Sequence, residues 1–193
     1  MMSLKNAVIS VVASVSLIGC AINVSPSAFF YQDTQQKPLD TTKLHAAIQK
    51  DKTSAGITRV EVKNDAGLTL RGVAVSYPDP IVNIVFFADN RMPVSENNSV
   101  IHRLGKLPAN ILWLDYQGVG ASDKAKDLSI NAIKQDALTQ FDYVASAFDV
   151  SIPTIVHGRG IGSYFASYVA ANRKIDALVL DGAFNNISDL IAN

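Results

Sequence analysis

The chain has 193 residues, 48% apolar and 18% charged, a balance that suits one soluble globular domain and excludes disordered, collagen-like and multi-pass membrane chains. Its 17 basic residues match its 17 acidic ones and no Lys/Arg run exceeds two, so the electrostatic footprint of a nucleic-acid binder is missing.

In chain order, the first element is a targeting segment. "MMSLKNAVISVVASVSLIGC" sets one lysine, Lys5, before an apolar stretch too short to span a bilayer and ending in small residues. Residues 1–19 are therefore expected to be a secretory signal. Leu17-Ile18-Gly19-Cys20 resembles the bacterial lipobox, which implies that Cys20 is lipidated at sulfur and becomes the first mature residue. The alternative reading is a small apolar residue inside an ordinary signal. Cys20 is the one cysteine of the chain, so it makes no internal disulfide. Several acyl chains together would hold the protein at a membrane. Ala21, rather than Asp, follows the cysteine, and by resemblance to enterobacterial sorting this implies the bacterial outer membrane, with the protein facing the periplasm.

Residues 20–38 are polar and mixed and read as a tether, although Phe29, Phe30 and Tyr31 could pack on the domain, which is expected over 39–193. Asp40 caps a predicted helix through Lys50. Two β-rich runs then flank Asn64-Asp65-Ala66-Gly67, a hairpin signal. From Ile81 onward, apolar strands alternate with helices. The order is "IVNIVFFAD", a helix near Ser95 to Leu104, "NILWLDY", a helix from Ser129 to Phe148, "IPTIVHG", a helix from Ile161 to Ala171, and "DALVLDGAF". Continuous Val/Ile/Leu runs between helices predict parallel strands covered on both faces. The fold class is thus α/β, a mostly parallel sheet of about six strands opened by an antiparallel hairpin.

That order, together with two motifs, resembles the α/β-hydrolase superfamily over about Ile57 to Asn193. "DYQGVGASD", Asp115 to Asp123, is similar to the family's D-Y-R-G-x-G-x-S segment, and "HGRGIGSYFA" is similar to its H-G-x-S-x-G turn. The resemblance implies eight core strands, of which the last two are missing from this chain. It also implies a nucleophile on a strained strand-to-helix elbow, where amides of the following helix stabilise an oxyanion.

Against that pattern the residues depart in three places. Gly158, Gly160 and Gly162 align with G-x-S-x-G, which puts Gly160 where the family has serine, and glycine has no side chain with which to attack. The oxyanion positions that the resemblance implies are Ala88, Asp89 and Ile161, and Phe87-Ala88-Asp89-Asn90 stands where many relatives read F-H-G-N. An acidic Asp89 there opposes a developing negative charge. Asp181 stands where some members place the triad acid, and its plainer reading is a strand-end carboxylate. No histidine follows the elbow. His45 and His102 fall on predicted helices, and His157 reads as a satisfied, partly buried imidazole rather than a base. Ser163, a turn beyond the apex, and Ser122, in the loop after the fourth strand, read as structural.

A second class of site is a small-anion or nucleotide cradle at "GRGIGS", with Asp176 or Asp181 about twenty residues on, as in dinucleotide turns. That fingerprint belongs on the first βα unit, and here it follows the third parallel strand. No His/Cys/Asp cluster has metal-ligand spacing, so no metal and no cofactor is expected. The expectation is a lipid-anchored hydrolase-like protein without hydrolase activity, serving as a binding domain or vestigial. The alternative is a serine ester or peptide hydrolase represented by a shortened or variant chain. The apolar sixth strand, Ala177 to Leu180, is expected to lie on an open sheet edge and to favour self-association.

Overall fold

The computed structural model describes residues 30–50, 55–89, 91–104 and 106–183. The signal segment, Cys20, Asn90 and the tail over 184–193 lie outside the described residues. In chain order the elements are α1 (Thr42–Lys50), β1 (Gly56–Lys63), β2 (Thr69–Ser76), β3 (Val82–Phe87), α2 (Asn98–Leu104) and β4 (Ala109–Leu114). They continue with α3 (Ile130–Asp142), α4 (Val144–Ala147), β5 (Thr154–Arg159), α5 (Gly162–Asn172) and β6 (Ala177–Asp181).

Local chemistry explains the starts and turns. Ser129 caps α3 by accepting the Ala132 amide at 3.0 Å, the ordinary service of a serine at a helix start. Asp40 accepts the Thr42 amide at 2.9 Å at the start of α1. In the hairpin, Asn64 Oδ1 accepts the amides of Ala66 and Leu68, so one asparagine closes the turn that the sequence predicts. The helix expected over Ser129 to Phe148 is instead two helices, α3 and α4, joined at Tyr143, and a 3-10 turn over Val94–Glu96 precedes α2.

The strands form one six-stranded sheet in the order β1-β2-β4-β3-β5-β6. β1 pairs β2, and β2 pairs β4, antiparallel, while the other pairs are parallel. The strand period of two divides the core between the faces. Val85, Phe87, Leu112 and Leu114 pack with Ile133, Ala137 and Phe165 of α3 and α5. Ile84, Phe86, Ile111 and Trp113 pack on the other face with Leu44 of α1 and Ile101 of α2. At the sheet's end, β6 pairs β5 with Leu178, Val179 and Leu180 exposed.

Within the stretch read as a tether, the chain packs on the domain from Phe30 onward, the packing that its aromatic cluster allowed. Phe30 is buried in the α3/α5 core, its ring 5.6 Å from that of Phe165. Asp33 donates its amide to Gly118 O and accepts the Gly120 amide on Oδ2, and Lys37 donates its amide to Gly120 O. This strap is legible in sequence only as the aromatic cluster around Phe30. Its partners lie some 85 residues away and no local pattern names them.

Candidate functional site

The carboxyl ends of β3 and β5 are neighbours, Phe87 opposite Gly158, because the chain turns to opposite sides of β3 for β4 and β5. In open α/β sheets such a switch point is where ligands bind. Asp89 follows β3 and Gly160 follows β5, so residues distant in sequence meet there.

Gly160 is the apex of the strand-to-helix turn at φ +55°. Its amide donates to Asp181 O at 2.8 Å and its carbonyl accepts the Ser163 amide at 3.0 Å. A left-handed backbone held at both ends favours glycine. A side chain at Gly160 would start inside the Asp89 carboxylate, whose three atoms are the nearest to that position, the farthest of them 2.7 Å away. Asp89 Oδ1 also accepts the Ile161 amide at 3.2 Å. Gly158 and Gly162 allow strand and helix to touch, since a Cβ at Gly158 would lie 2.5 Å from Ser163 Cα and one at Gly162 would lie 2.5 Å from Ala88 O.

Two of the three oxyanion positions therefore bond to each other, Asp89 through its carboxylate and Ile161 through its amide. The third, Ala88, is buried and accepts the Tyr116 hydroxyl at 2.9 Å. Burial, with the negative charge of Asp89 adding to it, holds that phenol well above its ordinary pKa, so it stays a donor. The partial positive charge of the α5 start already has a carboxylate on it. An anion entering at the glycine-rich turn would meet Asp89, which weighs against the small-anion and nucleotide reading.

The remaining candidates are dispersed. Ser163 donates to Gly158 O at 3.1 Å and is buried. Ser122 donates to Asp115 O at 2.7 Å and accepts the Arg71 amide. Asp181 sets its carboxylate 3.7 Å from Arg159 Nε, while its backbone carbonyl is what meets the elbow. Asp176 accepts the Thr154 amide at the base of β5, opposite the end carrying the elbow. His45 and His102 lie on α1 and α2. His157 alternates with Gly158 along β5 and faces α2, its ring edge-on to Phe86. The reading of a satisfied imidazole is corrected, because Nε2 is buried with no hydrogen-bond partner among the described residues. Burial lowers its pKa and keeps it neutral. Alternation along β5 was the available signal that His157 and the elbow glycines point to opposite faces.

Two buried carboxylates that sequence reasoning passed over brace the loops around this end. Asp115 accepts the amides of Val94 and Ala121 and is pushed up to about 7, burial outweighing those bonds and the charges of Asp33 and Glu96 adding to it. Asp136 accepts from Asn64 and Gln117 and is pushed up to about 6 by burial. Both folded values lie above the unfolded value near 3.9, so the folded state binds more protons between them. Their contribution is therefore greatest below about pH 4 and declines as pH rises towards 6 and 7, by up to about 1.4 kcal/mol per pH unit for each group. Asp136→Asn, whose amide can still exchange hydrogen bonds with Gln117, is expected to gain about 1–3 kcal/mol at pH 8 and little at pH 4. Urea unfolding at the two values measures the difference, and a loss at pH 8 would contradict it.

No family profile matches the chain. It is 29% identical over 111 residues to the alpha/beta hydrolase domain-containing protein WAV2 of Arabidopsis thaliana, across 55% of this chain and 35% of that protein. The esterase Pf2001 of Pyrococcus furiosus superposes with a TM-score of 0.58 at 16% identity, over 68% of this chain and 52% of its own. The alpha/beta hydrolase GrgF from Penicillium sp. sh18 gives 0.54 at 21% identity, over 65% and 45%. The chain thus spans about a third to a half of the length of these relatives. Strand order, the glycine elbow after β5 and these likenesses agree that the chain has the α/β-hydrolase fold.

Proposed function

We propose that this is a lipid-anchored α/β-hydrolase-like protein of the bacterial outer membrane that does not hydrolyse esters and retains the fold as a binding or vestigial domain. The observation that carries the reading is the Asp89 carboxylate seated on Gly160 and on the Ile161 amide. The place of the nucleophile is filled by a group that cannot be activated as a serine is, and the amide that would meet an oxyanion is occupied. None of the chain's three histidines stands on the elbow side of β5 as a base.

A fluorophosphonate probe tests this directly. The purified protein is expected to remain unlabelled, because no activated serine is available to be phosphonylated. Stoichiometric labelling mapped to Ser163 or Ser122 would sink the reading and restore a serine hydrolase.

The anchor rests on Leu17-Ile18-Gly19-Cys20. Among the described residues no helix is long and apolar enough to cross a membrane. Labelled palmitate is expected to enter the protein, and Cys20→Ser to abolish both label and membrane retention. A soluble, unlabelled wild type would refute the anchor and leave the reading of the elbow intact.

A further inference from the structure

On the face of the sheet opposite α3 and α5, α2, β3, β5 and β6 line a half-open cavity of about 210 Å³. Phe86, Val100 and Leu104 give it an apolar floor, and Arg103, His157, Arg159 and Asp181 give it a polar wall. The strand period puts His157 and Arg159 on this face together, and the β5–β6 register sets Asp181 opposite Arg159.

The polar wall is under-used. The His157 ring is wedged edge-on against Phe86 at 5.2 Å with its Nε2 buried and unpartnered among the described residues. Arg159 Nε stands 3.7 Å from Asp181 Oδ2, a charge contact too long for a hydrogen bond, so the guanidinium keeps its donors. The Arg103 side chain makes no hydrogen bond or ion pair among the described residues. Two guanidiniums against one carboxylate leave a net positive charge beside an apolar floor.

We infer that this cavity binds a small organic carboxylate, its apolar body on Phe86, Val100 and Leu104 and its carboxylate on Arg103 and Arg159, beside the His157 ring. The wall repels a cation. Inorganic phosphate would satisfy the guanidiniums and leave the floor bare. A neutral ligand would forgo the charge-assisted bonds, which are about twice as strong as neutral ones. The volume equals that of about seven liquid waters, enough for an acid of roughly eight or nine heavy atoms. The inference is independent of the elbow, which lies past the strand end and on the other side of β5.

Benzoate is the probe, titrated into the full-length protein in detergent while the His157 ring resonances are followed by NMR. A saturable shift is expected with a dissociation constant in the low millimolar range. Arg103→Gln and Arg159→Gln, both at the rim, are each expected to weaken binding by about threefold to tenfold with the melting temperature unchanged. Benzyl alcohol, of the same shape without the charge, is expected not to saturate. Absence of a saturable shift up to ~20 mM benzoate would overturn the inference. Equal binding of benzyl alcohol, or unchanged benzoate affinity in the double Arg103→Gln/Arg159→Gln variant, would overturn it as well.

Discussion

Gly160→Ser, the substitution that rewrites the elbow to the family pattern, is expected to lower the stability of the domain by about 2.5–5 kcal/mol and to confer no ester hydrolysis. Two costs add. A serine must adopt the left-handed φ of +55°, worth about 1–2 kcal/mol for a residue with a Cβ. That Cβ also lands within the Asp89 carboxylate. Asp89 can swing away, but it then releases the Ile161 amide, a bond to a charged group worth about 1.5–3 kcal/mol. Asp89→Gly removes the obstruction, so the double variant is expected to lose less than the two single losses together, with a coupling of about 1–2 kcal/mol. Urea unfolding of the four proteins measures the cycle. Strict additivity would show that Asp89 does not fill the elbow. Turnover of an activated ester by Gly160→Ser would show that a base reaches it, although His157 faces the other way.

Phe30→Ala is expected to cost about 3–4 kcal/mol, the penalty of emptying an aromatic site in a packed core. Phe30 is 4% exposed and joins an aromatic group in which Phe165 touches Phe30, Tyr116 and Tyr164. Losing the ring also loosens the strap that Asp33 and Lys37 bind to Gly118 and Gly120. Those two glycines carry positive φ and lie in the loop braced by buried Asp115. Faster hydrogen exchange at the Gly120 amide is therefore expected to accompany the stability loss. Denaturant unfolding and amide exchange check the two parts. A change within about 0.5 kcal/mol, the ordinary effect of a surface substitution, would return residues 30–38 to the status of a free tether.

Much of this molecule was legible from local chemistry alone. Asn64 closes its turn with its own side chain, Ser129 caps its helix, and the Val/Ile/Leu runs from Ile81 onward are strands, largely buried along β3 and β4 and exposed along β6. Six strands, the hairpin and the glycine at the elbow apex follow from patterns spanning fewer than ten residues, which is the range over which turn chemistry and side-chain period act. Helix ends were less legible. The break at Tyr143 separates two segments that share one helical pattern.

The tertiary structure decided what the residues do to one another. Asp89 stood in the sequence as an acid opposed to an oxyanion. Its seat on Gly160, 71 positions later, exists because β3 and β5 pair in parallel with Phe87 opposite Gly158. Phe30 stood in an aromatic cluster that could pack on the domain, and only the fold names its partner, Phe165 of α5. His157 read as a satisfied side chain because a sequence shows the alternation of a strand but not which face carries which helix. Nor does it show whether a buried nitrogen meets a donor, an acceptor or a cavity. Asp115 and Asp136 look like surface acids by type, and only burial under loops from elsewhere in the chain pushes them to about 7 and about 6. Desolvation depends on every atom within several ångströms, and those atoms are brought together by the crossovers between strands rather than by neighbours in sequence.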